Sequence, residues 1–196
     1  MNLEQLTKKF APLWKEADEI WDLRKDEPAF GAYVSADYVE VLQALIDLKQ
    51  QAYTFVEWGS GLGVVTIMAS LLGYESYGIE AEAALVEFAE ELAVKWDSQA
   101  VFAVGSFIPD DFQWSPAAGH EAVRTMVDVP AAYDELDMEV RDFDLIYSYP
   151  WPTEHLLYQN ILQDYGHPNS FLLTYDAREG IDVLERRNLN LDEESV

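Results

Sequence analysis

The sequence predicts an α/β fold: a doubly wound, mostly parallel sheet carrying an N-terminal helical cap. Three observations lead there. First, a β-branched and aromatic run, Tyr53 to Val56, enters a turn holding Gly59, Gly61 and Gly63, and an apolar segment from Leu62 to Leu72 follows and stops at Gly73. That is strand, glycine turn and helix, the opening unit of a sheet that binds a ligand against the turn. Second, short apolar runs at 76–79, 100–104, 142–147 and 170–175 alternate with longer segments of helical periodicity, the pattern of repeated strand–helix–strand units. Third, 196 residues with 49% hydrophobic and 13% aromatic content suffice for one domain with a sizeable core but are short for two.

In chain order, Leu3, Leu6, Phe10, Leu13, Trp14, Ala17, Ile20 and Trp21 recur at helical spacing. They predict one amphipathic helix, or two divided at Pro12, within a cap over 1–34. Its stripe suits packing on the domain or covering a cleft. Glu27–Gly31 reads as a linker. A second helix is expected from about Asp37 to Lys49, with Ser35 as its N-cap, opening the main unit at 35–196. After the glycine turn, Ser76–Ile79 predicts a strand ending at Glu80. Leu85, Phe88, Ala89, Leu92 and Trp96 then mark an amphipathic helix. Beyond the third strand the periodicity fails across an irregular insertion at about 107–142, whose aromatic content suggests ordering over a site. Tyr133–Val140 is a candidate helix before the fourth strand, and Thr153–Tyr165 another after it. A further strand is possible at Ile181–Arg186, ahead of an acidic tail.

Spacing within the turn separates ligand classes. The dinucleotide fingerprint needs a glycine at position 64, which is Val64. Glu57-x-Gly59-x-Gly61-x-Gly63 instead resembles the E/D-x-G-x-G-x-G first motif of class I S-adenosylmethionine-dependent methyltransferases. An acid, Glu80, stands at the end of the second strand, about twenty residues on, where ribose-binding carboxylates sit. The resemblance covers about Ser35 to Tyr175. It implies sheet order 3-2-1-4-5 with a truncated terminal hairpin, and S-adenosyl-L-methionine as cofactor. It further implies that Glu57, Gly59 and Gly61 hold the cofactor's amino-acid end, that Glu80 holds its ribose, and that Trp58, Ser60, Gly63 and Ala81 belong to the cofactor-binding set. Ser106 and Phe107 would adjoin the adenine, with Tyr33 and Ser148 as further contacts. Ser106 departs from the acidic residue common at its position.

Ser148-Tyr149-Pro150-Trp151-Pro152, after the "DFDLI" strand at Asp142–Ile146, loosely resembles the D/N-P-P-Y/F/W loop of some amino-methylating members. Here the polar residue is a tyrosine and tryptophan splits the prolines, so the amino-methylation chemistry is not carried over. Rigid prolines at the sheet's carboxyl edge do carry over. Tyr149 and Trp151 offer aromatic faces to a sulfonium. His155 is the best-placed general base among His120, His155 and His167, none of which is at metal-ligand spacing. No metal site is expected.

Net charge is −25, from 12 basic against 37 acidic side chains. Such a surface repels phosphate backbones and suits a cationic or neutral acceptor, a small molecule or a protein side chain, rather than nucleic acid. The absence of cysteine removes disulfides and thiol chemistry. No signal pattern or membrane-length apolar run occurs, so a cytoplasmic protein is expected. The reading is methyl transfer, with a non-catalytic binding protein as the alternative and an NAD-dependent oxidoreductase disfavoured by Val64.

Overall fold

A computed structural model describes residues 2–113, 125 and 129–189. Six strands form one sheet: β1 (Thr54–Trp58), β2 (Glu75–Glu80), β3 (Val101–Val104), β4 (Leu145–Ser148), β5 (Phe171–Asp176) and β6 (Gly180–Glu185), in the order β3-β2-β1-β4-β5-β6. The first five pair in parallel. The fold class and the expected order are those observed. The strand considered possible at Ile181–Arg186 is β6, antiparallel to β5 from Phe171↔Glu185 to Asp176↔Gly180. Among the described residues it is the last strand of the sheet.

Helices cover both faces, so the central strands are apolar on both sides, as buried parallel strands must be. Phe55, Leu145, Tyr147 and Leu173 point to one core, shared with α1 (Leu3–Arg24), α2 (Tyr38–Leu48), α3 (Val64–Leu71) and α4 (Ala83–Lys95). Val56, Trp58, Ile146 and Leu172 point to a second, with α5 (Tyr133–Leu136) and α6 (His155–Tyr165). A short α7 (Arg186–Leu189) follows β6.

Helix α1 runs unbroken through Pro12. Asn2 and Gln5 close a capping box at its start. Leu6, Phe10, Leu13 and Ala17 lie buried on one stripe spanning both halves, while Pro12 and Lys8 face solvent. The Lys8 carbonyl, four residues before the proline, therefore meets water rather than an apolar wall. Trp14 Nε1 donates to the Met68 sulfur at 3.1 Å, docking α1 on α3. The N-cap of α2 is Asp37, not Ser35: its Oδ1 accepts from Val39 N at 2.9 Å and Glu40 N at 3.3 Å. The later residue supplies the stronger, charged cap.

The acids leading β4 fasten the sheet. Asp144 Oδ2 accepts from Tyr53 N (2.7 Å) and Thr54 N (3.0 Å), fixing where β1 starts. Of the insertion, the described residues form a Ser106↔Ala131 bridge and a Tyr133 hydroxyl bond to the Phe107 carbonyl at 2.6 Å. The candidate helix at Tyr133–Val140 is one turn, α5, then a 3-10 turn at Val140–Asp142. Trp114–Pro116, His120 and the acidic tail lie outside the described residues. Among the described residues, no helix is long and apolar enough to cross a membrane.

Candidate functional site

A cavity of about 510 Å³ opens at the carboxyl edge of the sheet, around the turn between β1 and α3. The turn is held to β2, since Gly59 N and Ser60 N both donate to the Ile79 carbonyl at 2.9 and 3.0 Å. Its three glycines do different work. Gly59 has φ +77 and nothing within 4 Å of where a Cβ would stand, so it leaves open space on the cavity side. At Gly61 that space holds the Tyr33 ring, 2.7 Å away. At Gly63 it holds Phe102 and Ala89, at 2.5 and 2.8 Å. Gly63 therefore serves close packing of α3 on its neighbours and does not reach the cavity.

Glu57, next to last in β1, is buried. Thr66, in the first turn of that helix, donates to Glu57 Oε2 from its backbone N (2.8 Å) and its hydroxyl (2.5 Å). Glu57 so provides the cap that Gly63, lacking a side chain, cannot. Glu57 is also part of the cavity lining. Burial pushes this carboxyl up to about 8; the Thr66 bonds oppose the rise and Glu80 adds to it.

Glu80 is pinned at the end of β2. Its Oε2 accepts from Gly61 N at 2.9 Å and its Oε1 from Glu82 N at 3.0 Å. Turn and acid, distant in sequence, thus form one wall. Burial raises this carboxyl as well, against the backbone bonds that hold it.

One flank of the cavity is aromatic. Trp58, Phe107 and Tyr158 stack in series, with Trp58–Phe107 centroids 5.1 Å apart at 12° and Phe107–Tyr158 5.1 Å apart at 28°. The other flank is phenolic. Tyr33 and Tyr38 hydroxyls bond at 3.0 Å, Tyr147 is the direct β4 neighbour of Glu57, and Tyr149 meets Tyr175 edge-on at 5.0 Å. The Ser60 and Tyr147 hydroxyls, both on the wall, are buried without a hydrogen-bond partner among the described residues. Buried polar groups in that state call for a polar ligand atom or water.

Of the residues singled out in the sequence, Tyr33, Glu57, Trp58, Gly59, Ser60, Gly61, Glu80, Ala81, Ser106, Phe107, Tyr149 and Trp151 line the cavity. Gly63, Ser148 and His155 do not. Ser148 turns inward and donates to the Trp58 carbonyl at 3.0 Å, joining β4 to β1. His155, half-buried at the start of α6, lies off the wall near Asp176. Sequence reasoning missed Tyr38, Tyr147, Tyr158 and the rim at Asp176–Arg178. Strand parity could have found Tyr147, which shares its sheet face with Glu57. The rim could not be foreseen, because Asp176 Oδ1 shapes that turn by accepting from Arg178 N (2.7 Å) and Glu179 N (3.1 Å).

The sequence matches no family model and no curated protein. Several solved structures are similar to this chain. An RNA methyltransferase from Salinibacter ruber, in complex with S-adenosyl-L-homocysteine, is similar with TM-score 0.52 and 17% identity, over 74% of this chain and 78% of that one. A putative O-methyltransferase from Klebsiella pneumoniae is 17% identical over 73% of this chain and 57% of its own, with TM-score 0.47. The CcbJ methyltransferase from Streptomyces caelestis is 15% identical over 69% and 48%, with TM-score 0.45. The chain spans about half the length of these last two. At such identities the likeness establishes the fold alone, the α/β fold of that RNA methyltransferase.

Proposed function

We propose that this protein binds S-adenosyl-L-methionine in the cavity and transfers its methyl group to a small molecule or a protein side chain. One observation carries the reading: the Glu80 carboxylate, held by the N–H of Gly61, faces a cavity whose floor is a glycine turn left open at Gly59. The donor set fits the group. Glu80 offers acceptor oxygens to paired ribose hydroxyls, and the partnerless Ser60 and Tyr147 hydroxyls offer polar contacts deeper in. The Trp58–Phe107–Tyr158 stack offers an apolar face to a flat base.

The cofactor supplies an activated methyl on a cationic sulfur, and methyl transfer is an in-line displacement. The chain's part is positioning and electrostatics. Glu57 and the phenol rings of Tyr33 and Tyr149 favour positive charge nearby. Trp151, between Pro150 and Pro152, lines the same cavity. A surface with net charge −25 stands against a nucleic-acid acceptor and fits a neutral or cationic one.

Isothermal titration with S-adenosylmethionine, S-adenosylhomocysteine and NAD tests this. The adenosyl ligands bind, NAD does not, and Glu80→Ala weakens binding about tenfold or more, as loss of hydrogen bonds to a charged group does. Preference for NAD would return the reading to an oxidoreductase. The Tyr33 ring lying on Gly61 favours a second reading, a non-catalytic interaction protein. No heat with either adenosyl ligand would support it.

A further inference from the structure

The rim of the cavity lies between the loop after β4 and the hairpin after β5, away from the glycine turn. Tyr149, Pro150, Trp151 and Pro152 line it from one side, and Asp176, Ala177 and Arg178 from the other. Tyr149 and Tyr175 meet there with centroids 5.0 Å apart and planes at 79°, so their faces point in two directions. Among the described residues the charged side chains of the lining are four acids, Glu57, Glu80, Glu82 and Asp176, and one cation, the exposed Arg178.

Asp176 is fixed and charged. Its Oδ1 accepts from Arg178 N and Glu179 N at 2.7 and 3.1 Å, and those N–H groups hold the carboxyl below its usual range. His155 and the Arg178 guanidinium act on it less strongly than these bonds. Among the described residues its Oδ2 accepts no hydrogen bond. Tyr149 is close enough to feel its charge. Deeper in, the Tyr147 hydroxyl is buried without a partner among the described residues. Burial, with Glu57, Tyr149, Tyr175 and Tyr33 nearby, holds that phenol well above its ordinary range, so the hydroxyl keeps its proton.

On the reading that S-adenosylmethionine fills the cavity, we propose that the acceptor is an alkylamine. Its ammonium is captured by Asp176 Oδ2 against the Tyr149 and Trp151 rings, and its nitrogen is then held at the Tyr147 hydroxyl. An ammonium on an alkyl stem matches an acid beside aromatic faces, whereas the acidic lining repels a carboxylate acceptor. A hydroxyl acceptor must lose its proton as the methyl arrives, and among the described residues no histidine lines the cavity to take it. An amine brings its own lone pair. The ammonium first gives one proton to buffer, and the freed nitrogen pair forms the N–C bond. The C–S bond breaks with its electrons going to sulfur, leaving S-adenosylhomocysteine, and the product departs as the methylated ammonium.

The test is titration calorimetry on the full chain saturated with S-adenosylhomocysteine. Phenethylamine, 2-phenylethanol and 3-phenylpropionate share one skeleton and differ in charge. The amine should bind at least about tenfold more tightly than either, as a hydrogen bond to a charged group provides. Asp176→Asn keeps the oxygen that shapes the turn, so it should erase that preference without weakening S-adenosylhomocysteine. Tyr147→Phe removes a hydroxyl that has no protein partner, so the free protein should melt no lower than wild type. Its transfer to the amine should fall about tenfold or more in kcat with KM little changed. Methyl-tritiated S-adenosylmethionine separates the two sources of an alkylammonium: label on phenethylamine identifies a free amine, and label only on a lysine-containing peptide identifies a protein side chain. Label on neither, no preference for the amine, or a clearly lower melt of Tyr147→Phe overturns the proposal and leaves the cofactor reading standing. Failure to bind S-adenosylhomocysteine removes that reading and the proposal with it.

Discussion

Gly59 and Gly63 stand four residues apart with the same left-handed backbone, at φ +77 and +69, and their Cβ positions look into different worlds. A side chain at Gly63 would press into Phe102 and Ala89; one at Gly59, a residue of the cavity lining, would meet open space. Gly63→Ala should therefore lower stability by about 2–4 kcal/mol, from backbone strain plus overpacking. Gly59→Ala should cost about 1–2 kcal/mol from strain alone, but should abolish or sharply weaken binding of an adenosyl ligand. Thermal melts and titrations on both variants separate the effects, and equal loss of binding at equal stability would contradict the division. The sequence displays both glycines identically, since a motif records where Cβ atoms are forbidden and not what forbids them. Glu57 was legible as the acid ending the first strand. That Thr66 would hold one of its oxygens was not, because that bond depends on how α3 settles over β1.

At the scale of elements, periodicity located the helices and strands to within a few residues, and boundaries moved where a side-chain bond outranked propensity. Asp37 capped α2 in place of Ser35, and Asp144 set the start of β1 from ninety residues away. Pro12 was ambiguous in the sequence because its local cost and the stripe's tertiary gain are not comparable without knowing that Leu6, Phe10, Leu13 and Ala17 all find one core. The helix keeps the proline at a cost. Pro12→Ala should stabilise the protein by about 1–3 kcal/mol, the interior penalty less the entropy restored to the unfolded chain. Denaturant unfolding measures it, with a raised midpoint and unchanged slope expected. A lower midpoint would mean that a bend in α1 serves its docking on Met68.

For the whole molecule, sheet order was legible because strand–helix alternation leaves few topologies. The far rim was not, since it arises from a hairpin with little periodic signal. Acidity has a stability consequence beyond surface repulsion. Glu57 ionises at 4.5 in an open chain and at about 8 when folded, so the folded state binds the extra proton. Its contribution is fully present below about pH 4.5 and is lost as pH rises through about 8, by up to about 1.4 kcal/mol per pH unit. Glu80 shifts in the same direction. Melting temperature should fall across that window in wild type and fall less in Glu57→Gln. Identical slopes would show that surface repulsion alone governs the decline.

The cavity wall runs in sequence from Ala29 to Arg178. A guest seated there would touch the strap after the first helix, the glycine turn, the loop after β4 and the closing hairpin together. It would act as a rivet between these segments, adding to direct contacts such as Tyr33 on Gly61 and Tyr149 on Tyr175, and would couple the opening of either end of the described chain to departure of the guest.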